Sequence, residues 1–104
     1  MDIRTTQRMA WDRKLAKGFN TTEVALEFGL LTAEIGGAST AWRKGLPDFG
    51  EELADVAIYV TALAEMMGID LQSEVERKLN KNRERVYVRD ERGVAVRVRD
   101  SADG

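Results

Sequence analysis

Two central stretches of the chain carry apolar residues at alternating intervals of four and three. They are Val24, Phe28, Leu31, Ile35, Ala38 and Trp42 in the first stretch, and Phe49, Leu53, Val56, Val60, Leu63 and Met67 in the second. This spacing brings the residues of each stretch to one side of an α-helix. Because the apolar side of a helix must be covered, the sequence predicts two long helices that pack on each other or on further helices.

Three breaks divide the chain into four helical segments. The breaks are Gly18-Phe19-Asn20, the cluster around the only proline, Pro47, and Gly68-Ile69-Asp70. The predicted helices span residues 3–17, 21–43, 49–67 and 70–85. The first is weakly amphipathic, with Ile3, Trp11 and Leu15 as its larger apolar residues, and Leu71, Val75 and Leu79 form the apolar side of the fourth.

Local signals mark several helix ends. Asn20 with Glu23, and Asp48 with Glu51, have the three-residue separation of a capping pair at a helix N-terminus. Gly68 is suited to the left-handed position that follows a helix C-terminus. Gly29, Gly36 and Gly37 each cost about 1 kcal/mol inside a helix relative to alanine, so we expect another helix or a ligand to approach closely there.

The C-terminal part changes its period from helical to alternating. Val86, Val88, Val94, Val96 and Val98 alternate with other residues around the turn Asp90-Glu91-Arg92-Gly93, which predicts a β-hairpin over residues 86–98. Residues 99–104 are expected to fray.

The predicted fold is all-α, a four-helix bundle assembled by oligomerisation with a short C-terminal β-hairpin. The whole chain, residues 1–104, is predicted to form one domain with a helical core over residues 3–85.

Composition excludes several classes of function. The chain has no Cys and no His, so thiolate or imidazole metal sites and histidine general bases are absent. Its 16 basic and 18 acidic residues give a net charge of -2, which argues against a nucleic-acid partner. The most apolar stretch, residues 57–67, is too short to span a membrane, and the N-terminus does not have the pattern of a signal peptide. We therefore expect a cytoplasmic protein.

Acidic residues recur on the two central helices. Glu27 and Glu34 are seven residues apart, while Glu52, Asp55 and Tyr59 share one face of the next helix, beside its apolar side. Carboxylates held together in a partly buried groove select a hard cation, Mg²⁺ or alternatively Mn²⁺. Acidic residues at this spacing are also typical of a solvated helix face, and spacing alone leaves both interpretations open.

Basic and amide groups follow on the fourth helix. Lys78 and Asn82 are four residues apart on one face, where lysine can bind phosphate oxygens and asparagine can bind a ribose or a base edge. The alternative is that basic residues near a helix C-terminus complement the helix dipole, and this interpretation is favoured for Arg83 and Arg85.

The order of these motifs resembles the all-α nucleotide pyrophosphohydrolases, the family of MazG and the dCTP pyrophosphatases. That family carries an ExxE pair on one helix, an ExxD pair on the next, and a Lys and an Asn on a following helix. Glu52-Leu53-Ala54-Asp55 matches ExxD, and the segments 68–71 and 78–83 match the closing part of the family pattern. Residues 41–45 resemble the end of its first motif helix, and the resemblance covers about residues 19–87.

One position departs from the family pattern. In Ala33-Glu34-Ile35-Gly36-Gly37, Glu34 stands for the first metal ligand, and Gly37 stands where the second Glu is expected. Three of the four carboxylate ligands are therefore retained. Glu27 lies about 10 Å from Glu34 along a helix axis, which makes it a poor substitute for the missing ligand.

The resemblance implies a nucleoside triphosphate substrate, hydrolysed to a nucleoside monophosphate and pyrophosphate. Glu34, Glu52 and Asp55 would be catalytic metal ligands for Mg²⁺ or Mn²⁺. Lys78 would be a catalytic phosphate-binding residue, and Tyr59 and Asn82 would position the nucleotide. Trp42 or Phe19 would stack on the base, although core packing is an equal interpretation of both aromatic residues.

A chain of 104 residues with several apolar helix faces needs a partner to cover them. We expect a homodimer or homotetramer, as in the family. Three hypotheses on function remain. They are an active pyrophosphohydrolase, a nucleotide-binding homologue whose catalysis is impaired at Gly37, and a non-enzymatic helical oligomerisation module.

Overall fold

The computed structural model describes residues 1–98 and contains four helices followed by a two-stranded sheet. The helices are α1 (Ile3–Lys17), α2 (Val24–Arg43), α3 (Phe49–Met66) and α4 (Leu71–Arg83). The strands are β1 (Tyr87–Arg89) and β2 (Ala95–Arg97). The predicted all-α fold with a C-terminal hairpin is confirmed, whereas oligomerisation remains a prediction. The frayed end predicted for residues 99–104 lies outside the described residues.

The chain divides into two compact units, of which the first comprises residues 1–72 and the second begins at Ser73. The single domain predicted from the sequence stays a prediction.

In the first unit, α3 packs against both α1 and α2. The buried apolar side chains in the described part of the chain are all alanines: Ala10, Ala38, Ala41, Ala62 and Ala64. Such small residues allow helices to approach each other closely.

The prediction of which side of α2 is buried is only partly correct. The side that is buried or half-buried consists of Val24, Glu27, Leu31, Glu34, Ala38 and Ala41. Phe28, Ile35 and Trp42 were expected on that side, but they are 54%, 51% and 68% exposed. The physical reason is space: the small residues Ala38 and Ala41 occupy the most buried positions near the C-terminal end of α2, where a close helix contact leaves no room for Ile35 and Trp42.

The packing of α1 depends on polar side chains. Leu15, predicted to be one of its apolar anchors, is exposed, whereas Gln7, Ala10 and Lys14 are buried. The amide nitrogen of Gln7 donates to Glu65 Oε2 at 2.8 Å and to the Ile69 carbonyl at 2.7 Å. The side-chain oxygen of Gln7 accepts a hydrogen bond from the backbone N–H of Leu71 at 3.2 Å. Gln7 thereby holds α1 to the end of α3 and to the turn that follows it.

The helix ends differ in part from the predictions. Gly68 has a φ of 67°, which confirms the left-handed position after α3. The Asn20 side chain accepts from the Glu23 N–H at 3.1 Å, but α2 begins three residues later than predicted, at Val24. Asp48 precedes α3 without a side-chain capping bond, so the predicted pairing with Glu51 is wrong. α4 is shorter than predicted at both ends.

The second unit contains most of α4 and the hairpin. β1 and β2 are antiparallel, with Val88 opposite Val96 and Tyr87 opposite Arg97. Gly93 has a φ of 78° in the connecting turn, a backbone conformation that favours glycine. Valines lie on one face of the hairpin and remain exposed. None of the helices within residues 1–98 combines the length and the apolar character needed to cross a lipid bilayer.

Substitution of Ala62 tests the small-residue packing of α3. Ala62 is 1% exposed, so Ala62→Leu forces extra volume between the helices and should lower the free energy of unfolding by about 1–3 kcal/mol. Ala57→Leu, at an exposed position of the same helix, is the control and should change it by less than about 0.5 kcal/mol. Urea unfolding at one protein concentration measures both values, and equal stability of the two variants would contradict this packing.

Candidate functional site

Three carboxylates meet between α2 and α3. Glu34 projects from α2, and Glu52 and Asp55 project from α3, each with an oxygen within 4.8 Å of an oxygen of the other two. Glu34 and Glu52 are half-buried, while Asp55 is exposed. The cluster thus joins the three residues that the sequence singled out as metal ligands, although their role stays a prediction.

The fold explains why the three side chains converge. Glu34 lies on the side of α2 that faces α3, between the half-buried Leu31 and the buried Ala38. Glu52 and Asp55 are three residues apart on α3 and therefore share one face of that helix. Since α2 and α3 pack on each other, carboxylates on the facing sides come together.

The cluster is electrostatically strained. Within residues 1–98, none of the three carboxylates forms an ion pair with a lysine or arginine. The pKa of Glu52 is raised, first by loss of hydration and then by repulsion from Asp48, Asp55, Glu34 and Glu51. A bound divalent cation would relieve this repulsion, and an all-oxygen donor set fits a hard cation.

Gly37 borders the cluster directly. It follows Glu34 by one helical turn, and a Cβ atom at this position would lie 3.1 Å from Oε2 of Glu52. The place of the expected fourth ligand therefore adjoins the carboxylate of Glu52. A side chain at position 37 would crowd the end of the Glu52 side chain, so the glycine allows that carboxylate to lie close to α2.

Tyr59 lies one turn after Asp55 on α3 and is half-buried. Its pKa is raised, first by burial and then by the negative charges of Glu34, Glu27 and Asp55. The phenol consequently stays protonated at neutral pH and can donate a hydrogen bond. Tyr59 was predicted to help position a nucleotide, and its surroundings are compatible with that role.

A cavity of about 440 Å³ opens beside Tyr59 in the first unit. Apolar side chains, including Met9, Phe19 and Ile58, form part of its wall, and Lys14 is one of the cations that line it. Phe19 is thus available to an aromatic ligand in this cavity. Trp42, the other predicted stacking residue, is not among the lining residues and stands exposed on α2.

Sequence reasoning missed one pair of residues near the site. Glu27 is fully buried and forms an ion pair with Lys14, whose Nζ lies 2.7 Å from Glu27 Oε2. From the sequence, Glu27 was expected only as a poor substitute for a metal ligand, and no role was predicted for Lys14. One signal was present, because Glu27 and Glu34 are the only charged residues between Val24 and Trp42 and both occupy one line of the helix.

Lys78 and Asn82 lie on α4 in the second unit, one turn apart as predicted. Asn82 Oδ1 accepts a hydrogen bond from Arg85 Nη1 at 2.9 Å. This contact uses the amide oxygen and leaves the amide nitrogen as a donor group. The assignment of both residues to a nucleotide site stays a prediction.

Comparison with known proteins places the chain in a family. No curated protein and no solved structure matches it significantly. The sequence model of the MazG-like family matches residues 25–100, which include the carboxylate cluster, Gly37 and Tyr59. Because this match spans well over half of the chain, the protein belongs to the MazG-like family.

Proposed function

We propose that the protein is a Mg²⁺-dependent nucleoside triphosphate pyrophosphohydrolase, which cleaves a (deoxy)nucleoside triphosphate to the monophosphate and pyrophosphate. The observation that carries this proposal is the cluster of Glu34, Glu52 and Asp55, three carboxylates without a basic partner among the described residues. Membership of the MazG-like family supports a pyrophosphatase-type function for such a cluster.

The three carboxylates would hold the cation, with Mn²⁺ as an alternative to Mg²⁺. A bound cation would neutralise phosphate charge and would activate water for attack on a phosphorus atom. The raised pKa of Glu52 indicates that protons compete with the cation for this carboxylate. Cation binding therefore weakens as the pH falls toward the raised pKa.

Other side chains of the protein would hold the nucleotide. The protonated Tyr59 hydroxyl would donate a hydrogen bond to the nucleotide, and the adjoining cavity offers an apolar wall with Phe19 for the nucleoside. Lys78 would bind phosphate oxygens, and the amide nitrogen of Asn82 would donate to the sugar or the phosphate. Trp42 would stack on the base in an assembly in which a second copy brings it to the site.

We also propose that the protein works as a homodimer or homotetramer. Phe28, Ile35 and Trp42 are spaced by seven residues and form an exposed apolar line along α2. The charged residues of α2 before Arg43 are Glu27 and Glu34, which are buried and half-buried, so its outward surface is uncharged up to Trp42. A regular apolar helix surface of this kind fits the same surface of a second copy.

A second candidate function follows from the same surface. An apolar outer face on α2 together with glycine at position 37 fits a helical oligomerisation module without catalysis, or a nucleotide-binding homologue with impaired catalysis. Hydrolysis of a nucleoside triphosphate by the wild-type protein would distinguish the pyrophosphohydrolase from both of these alternatives. If nucleotide plus Mg²⁺ does not shift the midpoint of thermal unfolding, both nucleotide-binding proposals are excluded and the oligomerisation module remains.

The first test measures pyrophosphate release from a panel of nucleoside triphosphates with Mg²⁺ or Mn²⁺. Glu52→Gln or Asp55→Asn should lower kcat/KM by at least about 100-fold, because each removes a charged ligand. Glu51→Gln is the matched control, since Glu51 is an exposed neighbour outside the cluster, and it should change kcat/KM by less than about threefold. Equal losses in all three variants would contradict the assignment of ligands.

A second test concerns the missing ligand. Gly37→Glu adds a carboxylate beside Glu52, whose flexible end must yield by a few tenths of an ångström. We expect tighter Mn²⁺ binding and a turnover increase of about tenfold. Gly37→Gln is the control, because it adds the same bulk without charge and should produce neither effect. Isothermal calorimetry and the pyrophosphate assay measure the two quantities, and weaker Mn²⁺ binding by Gly37→Glu would contradict the expectation.

A third test addresses self-association. Ile35→Glu places a charge in the middle of the apolar line on α2 and should convert the oligomer to a monomer in sedimentation velocity experiments. Leu15→Glu, at an exposed position on α1, should leave the assembly unchanged. A monomeric wild-type protein at micromolar concentration would refute the oligomer, as would an oligomer that survives Ile35→Glu.

A further inference from the structure

A buried ion pair joins α1 to α2. The side chains of Lys14 and Glu27 are 8% and 0% exposed, and their charged atoms are 2.7 Å apart. Asn20, between the two helices, connects to both: its carbonyl oxygen accepts from Lys14 Nζ at 3.0 Å, and its side-chain amide donates to Glu27 Oε1 at 3.1 Å. The two charges are therefore held in place away from water.

Helix packing alone does not account for this pair. Burial of two charges carries a desolvation cost, and an apolar pair of similar size often replaces a buried ion pair without loss of stability. Glu27 Oε2 contacts the Lys14 ammonium at 2.7 Å, a charge-assisted contact, and has no further hydrogen-bond donor among the described residues. α1 and α2 already share α3 as a packing partner.

The pair is in contact with Tyr59. Nζ of Lys14 lies 5.7 Å from the centroid of the Tyr59 ring, within the range of a cation–π interaction. Lys14 and Tyr59 both line the cavity between α1 and α3. The negative charges of Glu34, Glu27 and Asp55 also act on the Tyr59 hydroxyl. Tyr59 is thus near both the buried pair and the carboxylate cluster.

We propose that Lys14 and Glu27 are positioning residues, which fix the orientation of Tyr59 between the cavity and the carboxylate cluster for nucleotide binding. Glu27 holds the Lys14 ammonium, and the ammonium holds the aromatic ring. This inference rests on the proposed pyrophosphohydrolase function, but the orientation of Tyr59 can be measured without substrate. Loss of the pair loosens Tyr59 and leaves all three carboxylates present, so KM should rise more than kcat falls.

The experiment removes both charges with Lys14→Met/Glu27→Leu in protein labelled with 3-fluorotyrosine. The chain has two tyrosines, and Tyr59→Phe assigns the ¹⁹F resonance of Tyr59. The matched control, Arg4→Met/Asp70→Leu, removes an exposed ion pair of the same 2.7 Å length from α1. We expect the Tyr59 resonance to shift and broaden only in the first variant. If that variant does not fold, as judged by circular dichroism, Lys14→Gln/Glu27→Gln replaces it.

Steady-state kinetics provide the second readout. The Lys14/Glu27 double variant should raise KM about tenfold with kcat within about threefold of wild type, and the control should change neither. In a Tyr59→Leu background, the same double substitution should change KM less than about twofold, because the pair acts through that ring.

Two results would overturn the inference: an unchanged Tyr59 resonance in the folded double variant, or an equal effect on KM with and without Tyr59. Failure of the proposed function is recognised separately. A wild-type protein that hydrolyses no nucleoside triphosphate and does not bind a hydrolysis-resistant analogue would refute that function. The ¹⁹F spectra would then still decide whether the pair orients Tyr59.

Discussion

The close contact of α3 with α1 and α2 is the interaction on which the rest of the first unit depends. Because alanines lie at this contact, the helix backbones come near each other and little room remains for bulky side chains. Two consequences follow. Carboxylates on the facing sides of α2 and α3 are brought within a few ångströms of one another, and the large apolar residues of α2 are left on its outer surface.

The elements of the fold were largely predictable because their signals are local. Intervals of three and four marked the helices, alternating valines marked the hairpin, and Gly68 marked the end of α3. Which side of α2 faces inward was not predictable from hydrophobicity, since the size of Ala38 and Ala41 decided it over the apolar character of Phe28 and Ile35. The capping pair of Asp48 and Glu51 failed because spacing alone does not ensure a capping hydrogen bond.

The candidate site, like the fold, was predictable only in part. Glu34, Glu52 and Asp55 could be named from the order of the motifs, and the structure brings their side chains together. The pairing of Lys14 with Glu27 could not be named, because it joins two helices at positions that no local spacing relates. Gly37 was recognisable as a departure from the family pattern, but the closeness of position 37 to Glu52 depends on the arrangement of α2 against α3 and could not be predicted.

The raised pKa of Glu52 has a consequence for how the protein responds to acid. The chain has no histidine, so no side chain with an ordinary pKa near 6 or 7 buffers it in that range. Glu52 takes up its proton at a higher pH in the folded chain than in the unfolded chain, so proton uptake at this residue favours the folded state as the pH falls. The same proton competes with a cation at the cluster. Proton uptake at Glu52 therefore favours folding and opposes the proposed cation binding, so the two processes place opposite demands on a single carboxylate.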